Sequence, residues 1–77
     1  MGPAGDLSEF REYLRSLPQE LLESVSEDYI WLAGLEFEPK RSQEFRERRE
    51  CCREECSRRG VPGLYRLAVS EISPWAA

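Results

Sequence analysis

The chain has 77 residues, of which 34% are charged and 40% hydrophobic, and its formal net charge is −4. This length and apolar content fit one small folded domain rather than a disordered chain of high net charge. Histidine is absent, which excludes a histidine general base, a Ser–His or Cys–His nucleophile pair and a histidine metal ligand within the chain.

The charges are segregated along the sequence. Residues 1–39 carry nine acids and two bases, Arg11 and Arg15, so their net charge is −7. Residues 40–66 carry nine bases and five glutamates, so their net charge is +4. Glu71 brings the total to −4. Such a chain either folds its opposite charges onto each other or offers the basic segment to a partner. For most of the arginines we expect internal pairs with the acidic half, each contributing ~0–1 kcal/mol.

The first elements in chain order are two short helices. Asp6 and Glu9 form a cap-like start, and a stripe of apolar residues at helical spacing follows: Leu7, Phe10, Leu14 and Leu17. Pro18 interrupts this helix and can begin a second one over 19–24, whose apolar side is Leu21, Leu22 and Val25.

The segment that follows is apolar on nearly every side. Ser26 with the acids Glu27 and Asp28 is a typical helix start, and residues 29–35 show no polar face. A helix of this composition is normally surrounded by protein. We therefore predict a central core helix over 27–37, with Trp31 and Leu32 buried.

A long charged helix and a last short helix complete the chain. Pro39 can begin a helix over 39–59 that Gly60 ends, with Phe45, Cys52 and Cys56 on one narrow stripe. Pro62 can begin a helix to about Ile72, and its inward residues are Leu64, Tyr65, Ala68 and Ile72.

The predicted fold class is therefore all-α: a compact bundle of four or five short helices that includes the long charged helix near 39–59. Residues 1–77 form one domain, with a flexible N-terminus at 1–5 and a C-terminal tail at 73–77 that Trp75 docks. No signal peptide and no membrane span is evident, so we expect a soluble, cytoplasmic protein.

The predicted long helix contains three cysteines within a six-residue segment: Cys51, Cys52 and Cys56. Thiolates of Cys52 and Cys56, four residues apart, could bind a metal, but a fourth ligand is missing and Cys51 points about 100° away on the helix. We favour packing roles for Cys52 and Cys56 and predict that Cys51, off the stripe, is the most accessible thiol. No metal or other cofactor is predicted.

The start of the same helix allows a nucleic-acid reading. Lys40, Arg41 and Gln43 are of the types that read base edges at the start of a recognition helix. The acidic half would repel the phosphate backbone that supplies most of the affinity. This helix-turn-helix-like regulator is the alternative prediction.

The favoured prediction is a small non-enzymatic interaction module, acting as an adaptor, regulator or accessory subunit. Acid pairs such as Glu27/Asp28 and Glu36/Glu38 lack a nucleophile or a metal set beside them, so no enzymatic activity is predicted. The binding surface would be the arginine face of the long helix, because arginine is enriched at interfaces; its residues are Arg46, Arg49 and Arg53, with Arg41. The partner is another protein or a second copy in a homodimer, not a membrane.

Overall fold

The computed structural model describes the backbone of residues 7–35 and 38–76 and the side chains of residues 7–35 and 38–72. In these ranges the chain forms four helices: α1 (Leu7–Arg15), α2 (Gln19–Gly34), α3 (Pro39–Arg58) and α4 (Pro62–Ala76). The predicted all-α class and the long charged helix are confirmed. α2, α3 and α4 pack against one another, and α1 packs on α3. No helix in the described ranges is long and apolar enough to cross a bilayer.

α2 is one continuous helix where the sequence predicted two. It begins after Pro18, whose carbonyl accepts the first helical hydrogen bond from Leu22 N at 2.9 Å, and it runs through Ser26 without a break. Ser26 therefore lies in mid-helix, fully buried against α3, and is not a cap. The reason is local: no glycine or proline separates 19–24 from 27–34, so the helix propagates once it has started.

The ends of α3 follow the sequence prediction. Pro39 occupies the first helical turn, where its missing N–H removes no hydrogen bond. At the other end Gly60 has φ +77°, and the N–H groups of Gly60 and Val61 donate to the carbonyls of Ser57 and Cys56 at 3.0 and 2.9 Å. These two bonds form a Schellman motif, which requires the left-handed residue that glycine supplies at least cost.

The backbone near the C-terminus is described, whereas that of the first six residues is not. α4 continues through Ala76, so residues 73–76, which the sequence assigned to a tail, have helical backbone. Asp6, residues 1–5 and the docking of Trp75 lie outside what the structure describes.

The core lies between α3 and one face of α2, not around residues 29–35. The fully buried residues are Leu14, Leu22, Ser26, Cys52, Cys56 and Ala68. Trp31 is 44% exposed and Leu32 is only half-buried, so the prediction that both are buried is wrong. Trp31 follows Leu22 by nine residues, about half a turn around the helix, and only the Leu22 side of α2 is covered by α3 and α4.

Candidate protein-interaction surfaces

The arginines of the basic segment divide between two flanks of α3. On one flank they hold α1: the Arg48 guanidinium lies over the Phe10 ring at 5.6 Å, and Arg59 Nη2 donates to the carbonyls of Leu14 and Leu17, both at 2.8 Å. Arg59 thereby links the last turn of α1, and the connection that follows it, to α3. These two arginines hold α1 against α3.

Glu55 anchors this joint from within α3. It is 6% exposed and accepts hydrogen bonds from Arg58 at 2.7 Å and from Arg59 at 2.8 Å. The hydrogen bonds from Arg58, and then from Arg59, lower the pKa of Glu55 to about 2. The carboxylate is therefore ionised under all ordinary conditions.

The expected pairing of the arginines with the acidic half is wrong for those whose salt bridges are defined. Arg53, Arg58 and Arg59 all pair with glutamates of α3 itself, Glu50 or Glu55. Among the described residues one salt bridge joins two helices, Arg11 to Glu54 at 3.6 Å, and there the base comes from the acidic half. Glutamates three or four residues away are always within reach on a helix, so the local pairs form first.

On the other flank, next to α4, Arg46, Arg49 and Arg53 of α3 follow one another at helical spacing, and Arg66 lies across a cleft from Arg53; we call these four residues the arginine ridge. Arg53 pairs with Glu50, and Arg46 Nη2 donates to Gln43 at 3.3 Å. Arg49 and Arg66 make no salt bridge with any described residue. The arginine ridge thus carries four positive charges at the surface, of which that of Arg53 is paired with a glutamate, Glu50.

A shallow cleft of about 180 Å³ runs along this ridge between α3 and α4, and its lining is Arg53, Ser57, Pro62, Tyr65 and Arg66. Burial raises the pKa of Tyr65, and the nearby positive charge of Arg49 partly opposes this. Arg66 was not among the predicted site residues. The turn at Val61–Pro62–Gly63 was the available signal, because so short a connection returns α4 beside α3.

Arg41 does not belong to the ridge. It is five residues before Arg46, about 140° away around the helix. With Lys40 and Gln43 it lies in the exposed first turn of α3, where Gln43 Nε2 donates to Glu47 Oε2 at 3.0 Å. The predicted nucleic-acid residues are therefore at the surface, but an acid already contacts one of them.

The cysteines are packing residues of the α2–α3 seam. Cys52 and Cys56 are fully buried beside the Ser26 hydroxyl, which has no well-formed hydrogen bond of its own. Burial raises the pKa of Cys52 to about 12 and also raises that of Cys56, and Ser26 offsets only part of this. In the described ranges no third ligand atom joins them in a group that could hold a metal.

All three thiols are buried, Cys52 and Cys56 at 0% exposure and Cys51 at 2%, and the faster reaction of Cys51 stays a prediction. α1 covers Cys51, which lines a cleft with Arg11 and Leu14 of that helix. The helical wheel placed Cys51 off the α2 stripe correctly but could not show that a further helix packs on that side.

A second surface, not predicted from the sequence, is the outer side of α2, which we call the acidic face. α2 carries four acids and no base, namely Glu20, Glu23, Glu27 and Asp28, and none makes a salt bridge with a described residue. The carboxylates of Glu23 and Glu27 meet that of Glu71 from α4, with ligand oxygens within 4.8 Å of one another. Burial, a side-chain hydrogen bond shared with Glu71 and the negative charges of Glu71 and Glu23 raise the pKa of Glu27.

Trp31 opens a cleft on the same side of α2. Asp28, Tyr29 and Leu32 line it with Trp31, and its volume is about 250 Å³. An exposed indole beside a carboxylate forms an apolar surface with a negative edge. Large exposed aromatics of this kind mark binding surfaces more often than single exposed aliphatic residues do.

Comparison with protein families, with curated proteins and with solved structures finds no match to this chain.

Proposed function

We propose that the protein is a small non-enzymatic interaction module, an adaptor, regulator or accessory subunit, that binds another protein or a second copy of itself through the arginine ridge. The observation that supports this is the division of the arginines. Arg48 and Arg59 hold α1, whereas the half-buried Arg49 and the exposed Arg66 make no salt bridge with any described residue. The three free cysteines fit a reducing compartment, and we propose a cytoplasmic location.

The chemistry of the ridge suits an acidic protein surface. Guanidinium groups bind carboxylates in bidentate geometry and stack on planar groups, and the Tyr65 cleft gives them an apolar neighbour. Charge complementarity of this type raises the association rate and fixes the register of two proteins. Arg46, Arg49 and Arg53 are thus the residues on which partner binding depends, and Arg41 is expected to contribute less.

The test is a charge reversal of the ridge, Arg46→Glu/Arg49→Glu/Arg53→Glu. The matched control is Arg15→Glu/Lys40→Glu, which reverses two exposed bases off the ridge. Proteins from the host that bind the wild type and the control but not the ridge variant support the proposal. Circular dichroism must show that each variant is folded. A folded ridge variant that keeps every bound protein would overturn the proposal.

One observation favours the nucleic-acid alternative: the first turn of α3, with Lys40, Arg41 and Gln43, is exposed. Fluorescence anisotropy with labelled duplex DNA tests it. Binding that falls steeply with salt, and that Lys40→Ala/Arg41→Ala/Gln43→Ala abolishes, would establish this function. No binding at low salt would remove it.

A further inference from the structure

We propose that the partner of the arginine ridge is a second copy of this chain, and that the ridge of one copy docks on the acidic face of the other, where an arginine enters the Trp31 cleft. This inference rests on the proposed function, because it names the partner of the same ridge.

The first argument is charge complementarity that the monomer leaves unused. The acidic face joins the four acids of α2 to Glu71 of α4, and no base lies in α2. The ridge presents four arginines against Glu50. Among the described residues no salt bridge connects the two surfaces, so both remain to be neutralised by another molecule, and one copy supplies what the other lacks.

The second argument is the chemistry of the Trp31 cleft. The indole is 44% exposed, and the Asp28 carboxylate lines the same cleft with Tyr29. A guanidinium group can stack on the indole face while it donates to the carboxylate. Arginine satisfies both requirements better than lysine, because its planar group stacks and forms paired hydrogen bonds.

The third argument is the small core. Among the described residues the fully buried large side chains are Leu14 and Leu22, whereas Trp31 on α2, Leu35 just after α2 and Leu67 on α4 are exposed. Leu67 precedes Glu71 by one turn and so lies on the same side of α4. A second copy on this surface would cover apolar groups that the monomer leaves in water. A two-fold arrangement would make the ridge-to-face contact twice.

Sedimentation velocity of the wild type is the first measurement. Association is expected at about 0.05 M salt and is expected to weaken at about 0.5 M, where the Debye length is only a few ångströms. A strict monomer at every salt and protein concentration would overturn the inference. The proposed function is tested separately, by whether the ridge variant loses proteins that the wild type binds. Failure of the inference and failure of the proposed function can therefore be distinguished.

Two reversed variants test whether these surfaces are the ones in contact. The ridge variant Arg46→Glu/Arg49→Glu/Arg53→Glu and the face variant Glu27→Lys/Asp28→Lys should each be monomeric, because each now opposes like charges. Mixed in equal amounts, they present complementary surfaces again and should form a one-to-one complex. If the wild type associates but the mixture does not, the dimer uses other surfaces and the inference is wrong. Should a variant fail to fold, Arg46→Gln/Arg49→Gln/Arg53→Gln replaces the ridge variant and Glu27→Gln/Asp28→Asn replaces the face variant, and each should associate more weakly than the wild type.

Trp31→Ala tests the cleft itself. It should raise the dimer dissociation constant at least about tenfold, as expected of a hot-spot residue. Tyr13→Ala is the control, since Tyr13 is a comparably exposed aromatic residue on α1 and lies outside both surfaces. Equal effects of the two substitutions would contradict an arginine-binding role for the Trp31 cleft.

Discussion

Leu21 and Leu22 are adjacent leucines with opposite surroundings. Leu22 is fully buried against the cysteines of α3, and Leu21 is 50% exposed. Leu22→Ala should lower the free energy of unfolding by about 2–5 kcal/mol, because it removes buried methyl groups and leaves a cavity. Leu21→Ala should change it by less than about 1 kcal/mol. Urea denaturation monitored by circular dichroism measures both, and equal losses would show that the core is not where the structure places it.

A second contrast in exposure lies within α2. Leu22 has no exposed surface, whereas Trp31 is 44% exposed. Trp31, the largest side chain of α2, therefore contributes little to the monomer's core. Its exposed ring fits a role in recognition better than one in stability.

At the scale of the elements, the Arg59 guanidinium makes the hydrogen bonds that join α1 to α3. Arg59 donates to the carbonyl of Leu14 in α1, to that of Leu17 just after α1 and to Glu55, whereas Arg58 pairs with Glu55 and is half exposed. Arg59→Ala should destabilise the fold by about 1.5–3 kcal/mol, the usual range for hydrogen bonds to charged groups, and expose the α1 amides to hydrogen exchange first. Arg58→Ala should cost clearly less. Unchanged exchange in α1 of the Arg59 variant would refute this account.

The same joint predicts a pH dependence. The pKa of Glu55 lies at about 2 in the folded state, below its ordinary value of 4.5, so its ionised form stabilises the fold. That contribution is complete above pH 4.5 and is lost as the pH falls from 4.5 towards 2. Glu55→Gln should lower the free energy of unfolding at neutral pH. Its urea midpoint should also change less between pH 4.5 and 2 than that of the wild type. Glu12→Gln, at an exposed acid of α1 that makes no salt bridge with a described residue, is the control and should retain the slope of the wild type.

The α2–α3 seam predicts the order of thiol reactivity. All three thiols are buried and burial raises the pKa of each, that of Cys52 to about 12. Cys51 borders the cleft beside Arg11, and the nearby charge of Arg11 opposes the effect of burial on the pKa of Cys51. Ellman's reagent should therefore modify Cys51 first and Cys52 and Cys56 at the rate of unfolding. Peptide mapping after partial reaction identifies the site; Cys52 modified first would contradict the packing role.

At the scale of the whole molecule, the bundle is thin. Its extents are 34 × 30 × 15 Å, and the shortest of these allows little more than two layers of helices, since packed helices lie about 8–10 Å apart. Every helix in such an arrangement keeps an outward face. This geometry explains why few side chains are fully buried and why apolar residues such as Trp31 and Leu67 remain exposed.

A thin bundle that self-associates should gain stability from its partner. The melting temperature should therefore rise with protein concentration at low salt, because association of folded copies shifts the unfolding equilibrium. The rise should shrink at high salt, where charge pairing is screened. Differential scanning calorimetry over a hundredfold concentration range measures it. A melting temperature independent of concentration at low salt would count against association of the folded state.

Sequence by itself determined the features that depend on local chemistry. Pro39 and Gly60 mark the ends of α3 because a missing N–H and a left-handed φ are properties of single residues. The stripe of Leu7, Phe10 and Leu14 defined the inner side of α1, because its polar and apolar residues alternate with the helical period. The all-α class followed from these local signals.

Only the tertiary structure decided which sides of α2 and α3 face water. Residues 29–35 are apolar on all sides, so their composition does not indicate which side is buried, and Trp31 is exposed because its side of α2 is left uncovered. Cys51 is buried because α1 packs beside it, and Arg48 and Arg59 hold α1 while Arg49 makes no salt bridge with a described residue. These outcomes depend on contacts between residues far apart in the chain, and helical periodicity specifies the direction of a side chain without specifying what lies there.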